Sequence, residues 1–135
     1  MRKKVKLPNR KTLLNKLVDA WRFYIYARDN YTCQKCGKKK GEVTINAHHI
    51  VTKGSSGFAG KFDIDNGVTL CYYCHRHESG KYYVEFGDWN KAYLKNKGLD
   101  FYELKNKYSE VAGYKPTIDD LELKLKILTE LLEGR

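Results

Sequence analysis

Two short segments decide how this chain folds: Cys33-Gln34-Lys35-Cys36-Gly37 and Cys71-Tyr72-Tyr73-Cys74-His75. Each holds a Cys-x-x-Cys pair, and together they contain all 4 cysteines of the 135-residue chain. Four thiolates in two such knuckles satisfy the tetrahedral preference of Zn²⁺. The alternatives are a redox pair or four unrelated buried thiols, but the motif occurs twice and no βαβ pattern surrounds either copy. We therefore predict a structural zinc site formed by Cys33, Cys36, Cys71 and Cys74.

The segment between the knuckles is predicted to form a hairpin. It is 34 residues long, more than the roughly 15–20 residues of a plain zinc ribbon, so something folded must lie within it. Residues 43–47 are β-prone and lead into His48-His49, a glycine- and serine-rich loop spans 54–60, and a short strand is expected at 68–70. A helix then runs from Cys71 to Ser79, with Gly80 as its C-terminal stop.

The flanking regions show helical patterns. Apolar residues recur at three- and four-residue steps over 11–27, which predicts an amphipathic helix ending at Asp29. Asp88 and Asp100 are candidate N-caps for helices at about 89–96 and 101–111. Thr117 opens a final helix that resembles a capping box, and its leucine stripe can pack on the core or pair with a second copy. We favour packing within the chain and a monomer.

The charge of the chain favours a polyanionic partner. The formal net charge is +10, and no acidic residue precedes Asp19. We expect residues 1–10 to be a flexible basic arm that contacts DNA phosphates, through Arg2, Lys3, Lys4 and Lys6. No segment predicts a membrane span or a secretory signal, so we place the protein in a reducing cytoplasm, where cysteines bind metal instead of forming disulfides.

Histidines and an asparagine lie between and just beyond the cysteine pairs. The segments Ala47-His48-His49-Ile50, Asp65-Asn66-Gly67-Val68-Thr69-Leu70-Cys71 and Cys74-His75-Arg76 together resemble the HNH (ββα-metal) endonucleases. The resemblance covers about residues 28–81. It implies an α+β fold, with a small ββα-metal core and a four-cysteine zinc site flanked by an N-terminal helix and C-terminal helices. Residues 11–135 would form a single nuclease domain, with its C-terminal helical part at about 88–133.

The resemblance also implies roles for individual residues. His49 would be the general base, and His48 and His75 would be ligands of a catalytic divalent ion. Asn66 would either give its side-chain oxygen to that ion or orient the first histidine block. Neighbouring residues of a strand point to opposite faces, so if only one of the two adjacent histidines faces the site, we favour His49.

The catalytic ion and the substrate contacts are less constrained. Mixed nitrogen and oxygen ligands admit Mg²⁺, Mn²⁺, Co²⁺, Ni²⁺ or Zn²⁺. Lys53 and Arg76 flank the motif and would hold phosphates, with solvated charge as the equal alternative.

A looser similarity concerns the lambdoid phage NinG/Rap recombination nucleases, through Ala27-Arg28-Asp29, the glycine-serine loop and Glu78-Ser79-Gly80. It implies a phage-associated protein in a bacterial host cytoplasm. The function we expect is a metal-dependent endonuclease that nicks or cuts DNA. The alternative is a zinc-stabilised DNA-binding module without catalysis.

Overall fold

The computed structural model describes residues 9–78 and 83–134, without the side chains of 53–55, 77–78 and 83–87. Arg2, Lys3, Lys4 and Lys6 of the expected basic arm, and the expected helix stop at Gly80, lie outside the described residues. Arg10, which we assigned to the arm, is instead the first residue of a helix. Asn9 caps that helix, because its side chain accepts a hydrogen bond from the Thr12 amide at 2.8 Å.

In the described part of the chain, six helices accompany one two-stranded sheet. In chain order these are α1 (Arg10–Arg28), β1 (Ile45–His49), α2 (Lys53–Lys61), a 3-10 turn (Ile64–Asn66), β2 (Gly67–Cys71), α3 (Tyr72–Glu78), α4 (Tyr83–Asn96), α5 (Phe101–Val111) and α6 (Ile118–Glu133). The α+β class is therefore confirmed. None of these described helices is both long and apolar enough to span a membrane.

The hairpin between the knuckles is confirmed, with β1 shifted two residues later than expected. β1 and β2 are antiparallel, and Ile45 pairs with Cys71 while His49 pairs with Gly67. This register places the adjacent histidines near the start of β2 and the second knuckle at its end. Gly67 is required here, because a Cβ at this position would lie 2.6 Å from atoms of Trp21 and Ile25 in α1.

The glycine- and serine-rich segment is a kinked helix, so the expected loop at 54–60 is wrong. Gly57 interrupts α2 with φ 58° and ψ −160°, a conformation that glycine adopts without steric cost. A Cβ at Gly57 would also lie 2.9 Å from the Ala112 backbone. Packing against the end of α5 therefore overrides the weak helix propensity of the segment.

Among the C-terminal helices, only α4 begins at a residue clearly different from the one expected. Asp88 lies inside α4, which begins at Tyr83, so its assignment as an N-cap is wrong. Asp100 caps α5 by accepting from the Glu103 amide at 3.0 Å. Thr117 and Asp120 form the reciprocal capping box of α6.

The buried apolar side chains form two clusters. One surrounds the zinc knuckles and includes Ile50 of the β1–α2 connection, Leu70 of β2 and Leu94 of α4. The other joins α1 to α6, and there Leu121 and Leu128 are fully buried. The leucine stripe of α6 thus packs within the chain, as expected.

Candidate metal centre and active site

The four cysteines converge at the end of the hairpin. Their Sγ atoms all lie within 4.8 Å of one another, and the Sγ atoms of Cys36 and Cys71 are 3.7 Å apart. The first knuckle turns at Gly37, whose φ is +80° and whose amide donates to the Cys33 carbonyl at 2.9 Å. Four convergent sulfurs are the donor set of a structural zinc site.

The electrostatics of this cluster suit a cation. Burial opposes ionisation of Cys33, but the backbone amides of Cys36, Cys71 and Lys35 outweigh it and lower the pKa of the thiol to about 7. Burial and the neighbouring Cys71 and Cys33 thiols raise the pKa of Cys74 well above its usual range. Four sulfurs this close cannot all ionise alone, and a divalent cation bound among them removes that repulsion.

A second group of residues forms around His48. Its ring meets the His75 ring edge to face, with centroids 5.3 Å apart and planes at 76°. Burial first, and then the charges of His75 and His49, lower the pKa of His48 to about 3. His48 is therefore neutral at physiological pH, which is the form in which an imidazole binds metal.

One atom of His48 has no partner. Its Nε2 is buried and makes no hydrogen bond among the described residues, a condition that is rare for buried polar atoms. The nearby Asn90 of α4 shares this property, because neither atom of its buried amide is paired in the described structure. The unpaired atoms of His48 and Asn90, with the His75 ring against that of His48, are consistent with a site for a metal ion.

His49 points to the other face of β1. Its ring stacks on Trp21 of α1, with centroids 4.2 Å apart and an interplanar angle of 9°. Its Nε2 lies 2.8 Å from the Lys61 carbonyl oxygen. Because a carbonyl only accepts, Nε2 is assigned as the protonated nitrogen, and Nδ1 is then the unprotonated nitrogen. This is the tautomer that a general base requires.

Asn66 is fully buried and holds the chain around the site. Its Oδ1 accepts from the Val51 amide at 2.7 Å, and its Nδ2 donates to the carbonyls of Val51 and Gly60 at 3.0 and 2.9 Å. These bonds tie the end of β1 to α2. Of the two roles that the resemblance implied, the contacts of Asn66 favour orienting the first histidine block.

Only some of the residues expected to contact phosphate lie within the described part of the chain. Arg76 is exposed on α3, and its guanidinium carbon lies 5.5 Å from the Tyr72 ring centroid. The backbone of Lys53 starts α2, but its side chain lies outside the described residues, as does the N-terminal arm. Arg76 therefore remains available for a phosphate contact.

The chain was compared with families and with known proteins. Residues 33–81 match the family model described as HNH endonuclease. The match covers just over a third of the chain and agrees with the core expected at about 28–81. No curated protein and no solved structure matches the chain, so these comparisons give no support to the narrower NinG/Rap similarity.

The sequence motifs did not predict three residues whose side chains support the site. Trp21 and Asn90 lie outside the HNH segment, as residues 33–81 are called below, and carry no motif. Asp29 was assigned only as a helix end, yet its carboxylate is buried, pairs with Arg28 at 2.9 Å and accepts from the Thr69 amide at 2.8 Å. A charged Arg-Asp pair at the end of an apolar helix stripe was the one available signal.

Proposed function

We propose that this protein is a metal-dependent endonuclease that hydrolyses DNA phosphodiester bonds. The observation that carries the proposal is the buried, unpaired His48 Nε2 beside His75, with His49 held as a base on the adjacent strand position. The HNH match to this same segment supports it. The net charge of +10 fits a polyanionic substrate.

Each histidine has a role in this proposal. His48 and His75 would hold a divalent cation, which relieves charge on the scissile phosphate and the leaving oxygen. His49 would accept a proton from the attacking water at Nδ1, while the Lys61 carbonyl fixes its tautomer. Asn66 would hold the peptide after β1 in place, so that both histidines keep their positions.

The zinc cluster would act as a structural support. Cys71 ends β2, and Cys74 directly precedes His75, so an ion bound to both cysteines would fix the first turn of α3. His75 would then face His48 without a large local core. The five-residue segment Cys71-Tyr72-Tyr73-Cys74-His75 would thus contribute two ligands to the zinc site and one to the nuclease site.

The proposal extends to the setting of the enzyme. Residues 11–135 would form one nuclease domain that acts as a monomer, because the α6 leucine stripe is already covered by α1. A reducing cytoplasm would keep the cysteines available for zinc. A phage origin, which would make this a bacterial host cytoplasm, rests on the looser resemblance alone.

Cleavage of a plasmid and of a four-way junction tests the proposal. The zinc-loaded protein would be incubated with and without Mn²⁺, and with EDTA, while zinc content is measured in each sample. We expect Mn²⁺-dependent cleavage that His48→Ala and His49→Ala abolish and Tyr73→Ala retains, since Tyr73 is 68% exposed beside the site. DNA binding without cleavage under every condition would instead support the zinc-stabilised binding module.

A further inference from the structure

Asn90 combines full burial with an amide that has no hydrogen-bonding partner. Its exposure is 0%, and neither Oδ1 nor Nδ2 makes a hydrogen bond among the described residues. Burying such a group without partners destabilises the folded protein. Asn90 therefore calls for a partner other than the described protein atoms.

The surroundings of Asn90 indicate what that partner is. Its amide is close enough to the His48 ring to counter part of the fall in the pKa of that ring, but His48 Nε2 and both polar atoms of the amide lack a partner with hydrogen-bond geometry among the described residues. Two unsatisfied lone-pair donors therefore lie beside each other, and His75 contacts the same ring. An ion accepting lone pairs from His48 Nε2 and Asn90 Oδ1 would satisfy both of these buried atoms.

We propose that Asn90 is a third residue of the divalent-metal site, presenting its side-chain oxygen to the ion that His48 and His75 would hold. This inference rests on the proposed function. Two imidazole nitrogens and one amide oxygen form a neutral, mixed ligand set that leaves positions for phosphate and water. Asn90 lies on α4, outside the HNH segment, so the family match does not assign it.

The packing of α4 holds Asn90 in place. Trp89 stacks on Tyr93 with ring centroids 5.3 Å apart, and Leu94 is buried in the cluster around the zinc knuckles. The Lys35 ammonium of the first knuckle lies 5.9 Å from the Trp89 ring centroid. The helix is thereby fixed against the same cluster as the cysteines, so the amide is positioned before any ion binds.

Two substitutions at Asn90 separate this role from a packing role. Leucine has the same branching as asparagine but no polar atom. Asn90→Leu should therefore raise the Tm of the zinc-loaded protein, measured without Mn²⁺, by about 3 °C or more. It should also weaken Mn²⁺ binding by about 10- to 100-fold. Asn90→Asp keeps an oxygen ligand, so it should lower that Tm and retain or tighten Mn²⁺ binding.

The zinc-loaded protein is titrated with Mn²⁺, and electron paramagnetic resonance measures the Mn²⁺ affinity. Calorimetry measures the Tm, and DNA cleavage is a separate assay. Unchanged Mn²⁺ affinity in Asn90→Leu overturns this inference and leaves the proposed function intact. If the parent protein binds no Mn²⁺ at all, the proposed function fails with it. Loss of both stability and affinity in Asn90→Leu and Asn90→Asp alike would show a packing role and also overturn the inference.

A different observation carries a second proposal. An open cavity of about 600 Å³ lies between α1 and residues 40–45, on the size scale of small-ligand pockets. We call it the aromatic groove, and its side chains include Phe23, Tyr26, Tyr31, Lys40, Val43 and Ile45. Phe23 and Tyr31 are 46% and 42% exposed, so a ligand in the groove can reach both rings.

Cations accompany the exposed rings. The Lys40 ammonium lies 5.6 Å from the Tyr31 ring centroid, and the Arg22 guanidinium carbon lies 5.3 Å from that of Phe23. Tyr31 is held with φ +52°, a costly conformation for a non-glycine residue. Its amide donates to the Tyr26 carbonyl at 2.8 Å, so the ring is kept at the groove.

We infer that the aromatic groove binds an unpaired base of single-stranded DNA. Nucleobases stack on exposed aromatic rings while flanking cations contact the backbone. A duplex hides its bases in the helical stack, so the groove would discriminate between the two forms. The basic character of the chain favours this occupant over an acidic or neutral peptide partner.

Fluorescence anisotropy with a labelled 15-nucleotide single strand and its duplex tests this inference in metal-free buffer, where no cleavage occurs. Phe23→Ala and Phe23→Leu should each weaken single-strand binding about 5-fold or more, with duplex binding changed less than about 2-fold. Tyr102→Ala is the matched control, because Tyr102 is 57% exposed and Lys91 lies 5.1 Å from its ring centroid. Full binding by Phe23→Leu, or an equal loss on the duplex, overturns base stacking.

Discussion

Replacing Asn66 with alanine tests whether this residue orients the site or binds metal. The substitution removes the acceptor for the buried Val51 amide, which costs about 1–3 kcal/mol. It also removes two hydrogen bonds donated to the Val51 and Gly60 carbonyls, each contributing about 0.5–1.5 kcal/mol. We therefore expect a loss of about 2–6 kcal/mol from a total stability of about 5–15 kcal/mol.

The assay is urea unfolding of the zinc-loaded protein, followed by circular dichroism. Asn46→Ala is the matched control, because Asn46 is a half-buried asparagine of the same hairpin and no hydrogen bond of its side chain is seen in the described structure. It should lose less than about 1 kcal/mol. A change of less than about 1 kcal/mol in Asn66→Ala would refute the hydrogen-bond reasoning.

A second substitution at Asn66 distinguishes its two expected roles. Asn66→Asp keeps an acceptor for Val51 but points a carboxylate at two carbonyl oxygens, so it should destabilise the protein severely. If Asn66 were a metal ligand, the added charge would instead strengthen Mn²⁺ binding. Tighter Mn²⁺ binding at near-parental stability in Asn66→Asp would therefore replace the orienting role with the ligand role.

Three further substitutions test other parts of the structure. Cys71→Ser should lose zinc and unfold the hairpin region, because the affinity of a structural zinc site contributes directly to folding; metal analysis and circular dichroism check this, and a cooperative, zinc-free fold would contradict it. Asp29→Ala removes the carboxylate that pairs with Arg28 and accepts from the buried Thr69 amide, and it should cost about 3 kcal/mol in urea unfolding, whereas Asp19→Ala, at an exposed ion pair, should cost less than about 0.5 kcal/mol. His49→Ala should reduce Mn²⁺-dependent cleavage about 100-fold or more in a plasmid assay with zinc content unchanged, and parental activity would exclude it as the base.

Local signals predicted the helices that depend on local chemistry. The Thr117 hydroxyl accepts from the Asp120 amide at 3.1 Å, and the Asp120 carboxylate accepts from the Thr117 amide at 2.8 Å. Such a box involves four neighbouring residues, so the sequence alone is enough to place the start of α6. The same reasoning placed α5 at Asp100.

Signals that depend on distant packing were not predictable in this way. α2 contains three glycines and two serines, which locally favour a loop. It forms a helix because Ser56 is fully buried and Gly57 and Gly60 allow close contact with Ala112 and Tyr108. These partners lie about fifty residues away in sequence.

The candidate site divides in the same manner. The four cysteines, three of the four histidines (His48, His49 and His75) and Asn66 follow from motif spacing, which one short segment encodes. Asn90 comes from a helix after that segment and belongs to no pattern, whereas Trp21 comes from the helix before it and belongs only to the apolar stripe of that helix, which indicates burial and not a role at the site. Their positions follow only from how α1 and α4 pack against the hairpin.

The alternation of β1 explains how one short strand serves both proposed roles. Ala47 and His49 face the cluster between α1 and α6, where Trp21 covers the His49 ring. His48 faces His75 on the other side, and Ile50 is buried in the cluster that contains the cysteines. The proposed base is therefore held by the α1–α6 cluster, whereas the proposed metal ligands are held by the cluster that contains the cysteines. A change in the α1–α6 cluster should disturb the base first, whereas loss of zinc should disturb the ligands first.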